Sequence, residues 1–137
     1  MKLTFNGIKF KEDSSPIVVF ENREKKKFQF PIEIATVRSI VEFLKTNEIK
    51  DLKDNLYFTL INKKRFKIEH IVIREYRMNK YFGDITIRDL YNNRYNYSLT
   101  IDDIILFSLY FNIGIELKPS IFYDFLDNIK IKKSNFI

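Results

Sequence analysis

The sequence predicts a single α+β domain, a mostly antiparallel sheet carrying three to four helices. Three observations carry that expectation. The chain has 137 residues, 45% of them hydrophobic and 31% charged, which is enough apolar content for one core and too little charge imbalance for a disordered chain. Alternation of period two fills the first third and returns over 65–87. Helical spacing of apolar residues appears in three separate stretches.

The first strand is Lys2 to Phe10, with Leu3, Phe5, Ile8 and Phe10 set against Lys2, Thr4 and Lys9. Glu12-Asp13-Ser14-Ser15-Pro16 is turn chemistry. Pro16 to Phe20 is a short β-branched apolar run that predicts a second strand over 16–22. Asn22 to Lys27 reads as a charged hairpin tip. Phe28, Phe30 and Ile32 then alternate as a third strand, so the first third predicts a three-stranded meander.

The period changes at Ile34. Ile34, Val37, Ile40, Val41 and Leu44 fall at helical spacing, with Arg38, Glu42 and Lys45 off the stripe. Asp54 to Asn62 repeats that period through Leu56, Leu60 and Ile61, and Asp51 and Asp54 suit a helix start. Arg65 to Tyr76 alternates, which puts Phe66, Ile68, His70 and Val72 on one face and Lys67, Glu69, Ile71 and Ile73 on the other. A turn near Arg77 to Lys80 leads to a strand over Tyr81 to Ile87, and Tyr95 to Leu99 follows a polar loop. Thr100 opens a third helix as its N-cap, with Asp103 three residues on. That helix is apolar nearly all round from Ile104 to Phe111, which predicts a central, buried element. Gly114 to Leu117 reads as a terminal strand and Ser120 to Asn128 as a last helix. Domain and tail divide at 128: residues 129–137 form a basic C-terminal tail.

Composition removes several chemistries. Cysteine is absent, which excludes disulfides, thiol catalysis and thiolate metal sites. One histidine excludes a multi-His metal centre and leaves carboxylates as the metal-holding set. The glycines Gly7, Gly83 and Gly114 lie far apart, so neither nucleotide-binding glycine pattern exists. Ser/His/Asp catalysis could run only through His70, whose place in an apolar strand reads as a half-buried structural histidine. Met1 to Phe10 has no long apolar region, and no run approaches 18 apolar residues, so a cytoplasmic protein without membrane contact is expected.

Acidic and basic groups remain. Asp102 and Asp103 fall in the first turn of the third helix, where they serve either as caps and dipole partners or as a pair holding Mg²⁺ or Mn²⁺, with Asp54 as a further contributor. An acid followed by Glu-x-Lys can be drawn through Asp103 and Glu116-Leu117-Lys118, a pattern that a Lys-rich chain meets by chance. Net charge is +6, from 24 basic and 18 acidic residues. Of the basic residues 17 are Lys and 7 Arg, beside 21 Ile, 12 Asn and one Ala, the skew of an AT-rich genome. Lys25, Lys26 and Lys27 form one cluster; Lys63, Lys64 and Arg65 with Lys67 form a second; Lys130, Lys132 and Lys133 form a third. Each is either a solvated tip that guards a strand edge or a surface that tracks phosphates. Arg94 lies among Tyr91, Tyr95 and Tyr97, which are either strand aromatics or stacking partners for bases.

The ordered motifs resemble the bifunctional nuclease family over about residues 2–123. Pro16-Ile17-Val18-Val19 resembles the family's Pro-Val-Val strand, and Phe30-Pro31-Ile32-Glu33-Ile34-Ala35 its Leu-Pro-Ile-x-Ile-Gly segment. Ile68 to Tyr76 and Tyr81 to Ile87 fit its central strands. Asp103-Ile104-Ile105-Leu106 and Gly114 to Leu117 fit its Ser-Asp-Ala helix and the strand after it. The resemblance implies metal-dependent hydrolysis of DNA or RNA, with Asp103, Asp102 and Asp54 as catalytic residues and Asp103 and Asp102 on the metal. Departures are concentrated at polar positions. Thr100-Ile101-Asp102-Asp103-Ile104 stands where the family has Arg-Pro-Ser-Asp-Ala, and Lys53-Asp54-Asn55 where it has Thr-His-Asp. A kept apolar frame with changed polar positions implies altered or lost activity. The alternatives are a non-catalytic nucleic-acid-binding protein and an oligomeric scaffold, the latter in keeping with 16% aromatic residues.

Overall fold

A computed structural model describes residues 2–52, 55–63, 65–119 and 121. Asp54, Lys64, the helix expected over 120–128 and the basic tail expected over 129–137 lie outside the described residues, Ile121 excepted. The elements run β1 (Lys2–Phe10), β2 (Pro16–Glu21), β3 (Lys27–Pro31), α1 (Ile34–Thr46), a 3₁₀ turn (Lys50–Leu52), α2 (Leu56–Asn62), β4 (Phe66–Arg77), β5 (Lys80–Asp89), β6 (Arg94–Thr100), α3 (Ile101–Phe111) and β7 (Ile115–Leu117).

Seven strands form one sheet in the order β3-β2-β1-β7-β4-β5-β6, so the α+β class expected from the sequence is observed. Among the described residues the only parallel neighbours are β4 and β7. The β1–β2–β3 meander holds its register from Pro16 opposite Phe10 to Lys27 opposite Glu21. The sheet is not flat. Phe30 on β3 lies 4.9 Å from Tyr81 on β5, edge to face. Four strands separate them in the sheet order, which in a flat sheet is about 24 Å. The sheet therefore curls, and a bulge in β1 between Phe5 and Gly7 supplies one of the bends.

The curl encloses α3. Ile104, Ile105 and Phe107 on α3 are fully buried, as its all-round apolar sequence demands. Gly83 on β5 is the contact point: a Cβ there would stand 2.0 Å from the Val72 carbonyl oxygen and 2.8 Å from Ile104 Cδ1. Phe58 of α2 packs edge to face on Phe107 at 6.3 Å and on Tyr110 at 4.7 Å. No helix among the described residues is long and apolar enough to cross a membrane.

Two expectations about faces are corrected. Strict alternation put His70 with Ile68 and Val72, but His70 is exposed while Ile68, Ile71 and Ile73 are buried. The reason is a bulge between Ile68 and His70 in the β4–β5 ladder: one extra residue turns the chain to the other face. The apolar stripe of α1 is the second. Only Ile40 of the stripe is fully buried; the helix turns Thr36 and Ser39 inward with it, and leaves Ile34, Val41 and Leu44 exposed.

Candidate functional site

Thr100 ends β6 and caps α3, its hydroxyl accepting from the Asp103 N–H at 3.5 Å. This places Asp102 and Asp103 in the first turn of α3, beside the start of α1. The two carboxylates then part in role. Asp102 Oδ1 accepts from the Glu33 N–H at 2.9 Å and from the Thr36 hydroxyl at 2.6 Å. Glu33 is the N-cap of α1 and has no side-chain capping bond of its own. Asp102 thus ties down the first turn of a helix that begins 68 residues earlier, taking the N-cap N–H that the N3 side chain of a capping box would take and holding the N3 residue Thr36 by its hydroxyl.

Asp103 is half-buried. Burial pushes its carboxyl above the ordinary 3.8, and the negative charges of Asp102 and Glu33 push in the same direction. No side-chain donor reaches it among the described residues. Asp102, Asp103 and Glu33 line a cavity of about 430 Å³ together with Thr36, Ser39 and Lys80. Among the described residues, no group of three or more His, Asp or Glu side chains is arranged to hold a metal ion. The cleft thus presents one carboxyl of raised proton affinity within a largely apolar lining.

Basic residues gather at the other end of β6. Lys67, Arg88 and Arg94 stand directly opposite one another across β4, β5 and β6, and so share one face of the sheet. Arg65 precedes β4 and Lys63 caps the C-terminus of α2; both are exposed. Glu69, displaced by the bulge, receives two cations: Arg88 Nε at Oε1, as an ion pair without hydrogen-bond alignment, and Arg94 Nε at Oε2, 3.1 Å away. At this end of the sheet Lys67, Arg88 and Arg94 thus stand in one row, with Glu69 paired to the two arginines, and Lys63 and Arg65 lie exposed in the segment that leads into β4. Lys25, Lys26 and Lys27 stand apart, on the turn into edge strand β3, with Lys26 Nζ 6.0 Å above the Phe28 ring.

The tyrosines divide likewise. Tyr95 lies 5.9 Å from Phe66, and its hydroxyl donates to Asp89 Oδ2 at 3.1 Å; Tyr97 is partly buried against the core. Both are strand aromatics. Tyr91 alone stands free, 86% exposed at the β5–β6 turn. Asp89 fixes that turn by accepting from the Tyr91 and Asn93 N–H groups at 2.8 and 2.9 Å. These hydrogen bonds hold the Asp89 carboxyl below its ordinary range, although burial acts the other way.

Arg88 and Glu69 are the residues that sequence reasoning missed. The two-residue turn at Met78–Asn79, both left-handed at φ 50° and 62°, would by counting set Glu69 opposite Arg88. Bulges after Ile68 and Ile73 move the register so that Lys67 takes that place. Arg94 and Thr100 open and close β6, so the cationic row and the acid pair lie about 20 Å apart at ~3.3 Å per residue. A scan against protein-family models and a search of curated proteins find no match to this chain.

Proposed function

We propose that the protein is a non-catalytic nucleic-acid-binding domain, and that it binds through the face of β4, β5 and β6 that carries Lys67, Arg88 and Arg94. The observation that carries this reading is that cationic row, aligned across three hydrogen-bonded strands. A rigid sheet holds the guanidinium groups at fixed spacing, and Arg forks suit phosphate oxygens. Lys63 and Arg65 add exposed positive charge in the segment just before β4, and Tyr91 offers a ring at the β5–β6 turn for a base. The separation of this row from Asp103 favours binding over cleavage, because a phosphodiesterase needs its phosphate-holding cations beside its acids.

A second reading, the metal-dependent nuclease that the family resemblance implies, has one observation in its favour. The Asp103 carboxyl lines the cleft of about 430 Å³, which Lys80 also lines. Mg²⁺ or Mn²⁺ there would draw on Asp103, with Asp102 already engaged by α1.

Fluorescence anisotropy with labelled single-stranded DNA and RNA across a salt series tests the binding reading. Log affinity is expected to fall linearly with log salt, and the labelled strands are expected to stay intact with Mg²⁺, with Mn²⁺ and with EDTA. No binding at low salt sinks the proposal. Cleavage that needs metal and disappears in a folded Asp103→Ala protein establishes the nuclease instead.

A further inference from the structure

The outward face of α1 is apolar where a solvated helix should be polar. Ile34, Val41 and Leu44 are 47%, 40% and 62% exposed, and Val37 is partly so. With Val37 they fall at spacings of three, four and three residues, a stripe of the kind that packs helix against helix. Val37 and Val41 also line a shallow surface hollow of about 400 Å³, flanked by Arg38, Glu42 and Lys45. Neither Arg38 nor Glu42 has an ion-pair partner among the described residues.

We infer that this stripe is the contact between two copies of the chain, with their α1 helices antiparallel across a two-fold axis level with Ile40. The charges select this arrangement. In that register Arg38 of each copy is level with Glu42 of the other, giving two reciprocal ion pairs on one flank of the stripe. Val37 of one copy then sits about 3 Å along the axis from Val41 of the other, an offset at which side chains interdigitate. A parallel pair would put the Arg38 and Glu42 flanks of the two copies on opposite sides of the contact, where they cannot pair. The two-fold antiparallel arrangement makes the patch self-complementary, as an isologous dimer requires.

Area sets the strength. α1 is about 20 Å long and about 10 Å wide, so this contact buries on the order of 200 Å² per copy. A standard stable interface takes about 800 Å² per partner. The dimer is therefore of the weak, concentration-dependent class. This inference is independent of the nucleic-acid reading, since α1 carries none of that row.

Sedimentation equilibrium over a wide concentration range, with the native chain, Leu44→Glu, Arg38→Glu and Glu42→Arg, tests it. The native chain is expected to shift from monomer towards dimer as concentration rises. Leu44→Glu, Arg38→Glu and Glu42→Arg are each expected to weaken dimerisation at least tenfold, with far-UV circular dichroism unchanged because the substituted side chains lie on the surface. An equimolar mixture of Arg38→Glu with Glu42→Arg is expected to recover association, because each copy then faces opposite charges on the other. A native chain that stays monomeric throughout, or self-association that none of these changes moves, overturns the inference.

Discussion

Asp102 accepts a 2.6 Å hydrogen bond from the hydroxyl of Thr36, 66 residues away in sequence. The first turn of α3 thereby secures the first turn of α1, whose N-cap Glu33 contributes no side-chain bond of its own. Asp102→Ala leaves the Glu33 N–H and the Thr36 hydroxyl without this acceptor. We expect a loss of about 1–2 kcal/mol in urea unfolding, the size of a lost helix cap. Asp102→Asn retains one acceptor oxygen and should lose less. An Asp102→Ala protein as stable as the native chain would remove the capping role.

Asp103 should show its displaced proton affinity in the pH dependence of stability. Burial, with Asp102 and Glu33 adding to it, raises the folded-state value above the ordinary 3.8. The folded state then binds the proton more tightly than the unfolded state. Stability from this group is present at pH below 3.8 and is lost as pH rises from there through the raised folded value. Asp103→Asn removes the titration. Unfolding measured across that window should find the variant gaining on the native chain as pH rises, and a constant difference would contradict the assignment.

Gly83 has no room for a methyl group. A Cβ would meet the Val72 carbonyl oxygen at 2.0 Å, within the β4–β5 ladder, and Ile104 Cδ1 at 2.8 Å. Backbone cannot yield as a flexible side-chain end does, so Gly83→Ala should cost about 3 kcal/mol or more. Thermal unfolding monitored by circular dichroism reads this directly. Gly7→Ala, where nothing lies within 4 Å of the added carbon, is the control.

Glu69 holds down the charge of the proposed binding face. It engages Arg88 and Arg94 at once. Under the nucleic-acid reading, Arg94→Ala should weaken binding about equally for all sequences and reduce the salt slope by about one. Glu69→Gln should act in the opposite direction, strengthening binding at low salt by leaving both guanidinium groups to the phosphates. Anisotropy titrations with one labelled strand compare all three proteins, and parallel behaviour of the two variants would contradict the assignment.

Local pattern in the sequence was enough for most of the described elements. Alternation from Lys2, the β-branched run at Pro16, the helical period from Ile34 and the apolar run from Ile104 to Phe111 each mark an element found in the fold, since each reports a backbone period that neighbouring residues set. The burial of α3 was legible for the same reason, because a helix apolar on every side has no face to give to water. Which face of α1 turns inward was not legible, because Ile40 and Val41 are equally apolar and only the curl of the sheet around α3 chooses between them. His70 escaped because the bulge beside Glu69 breaks the period of two without a signal in residue type. The Lys67, Arg88 and Arg94 row and the Asp102–Thr36 bond depend on strand register and on the meeting of two helix starts. Those are relations between distant segments, and the packing of the whole chain decides them.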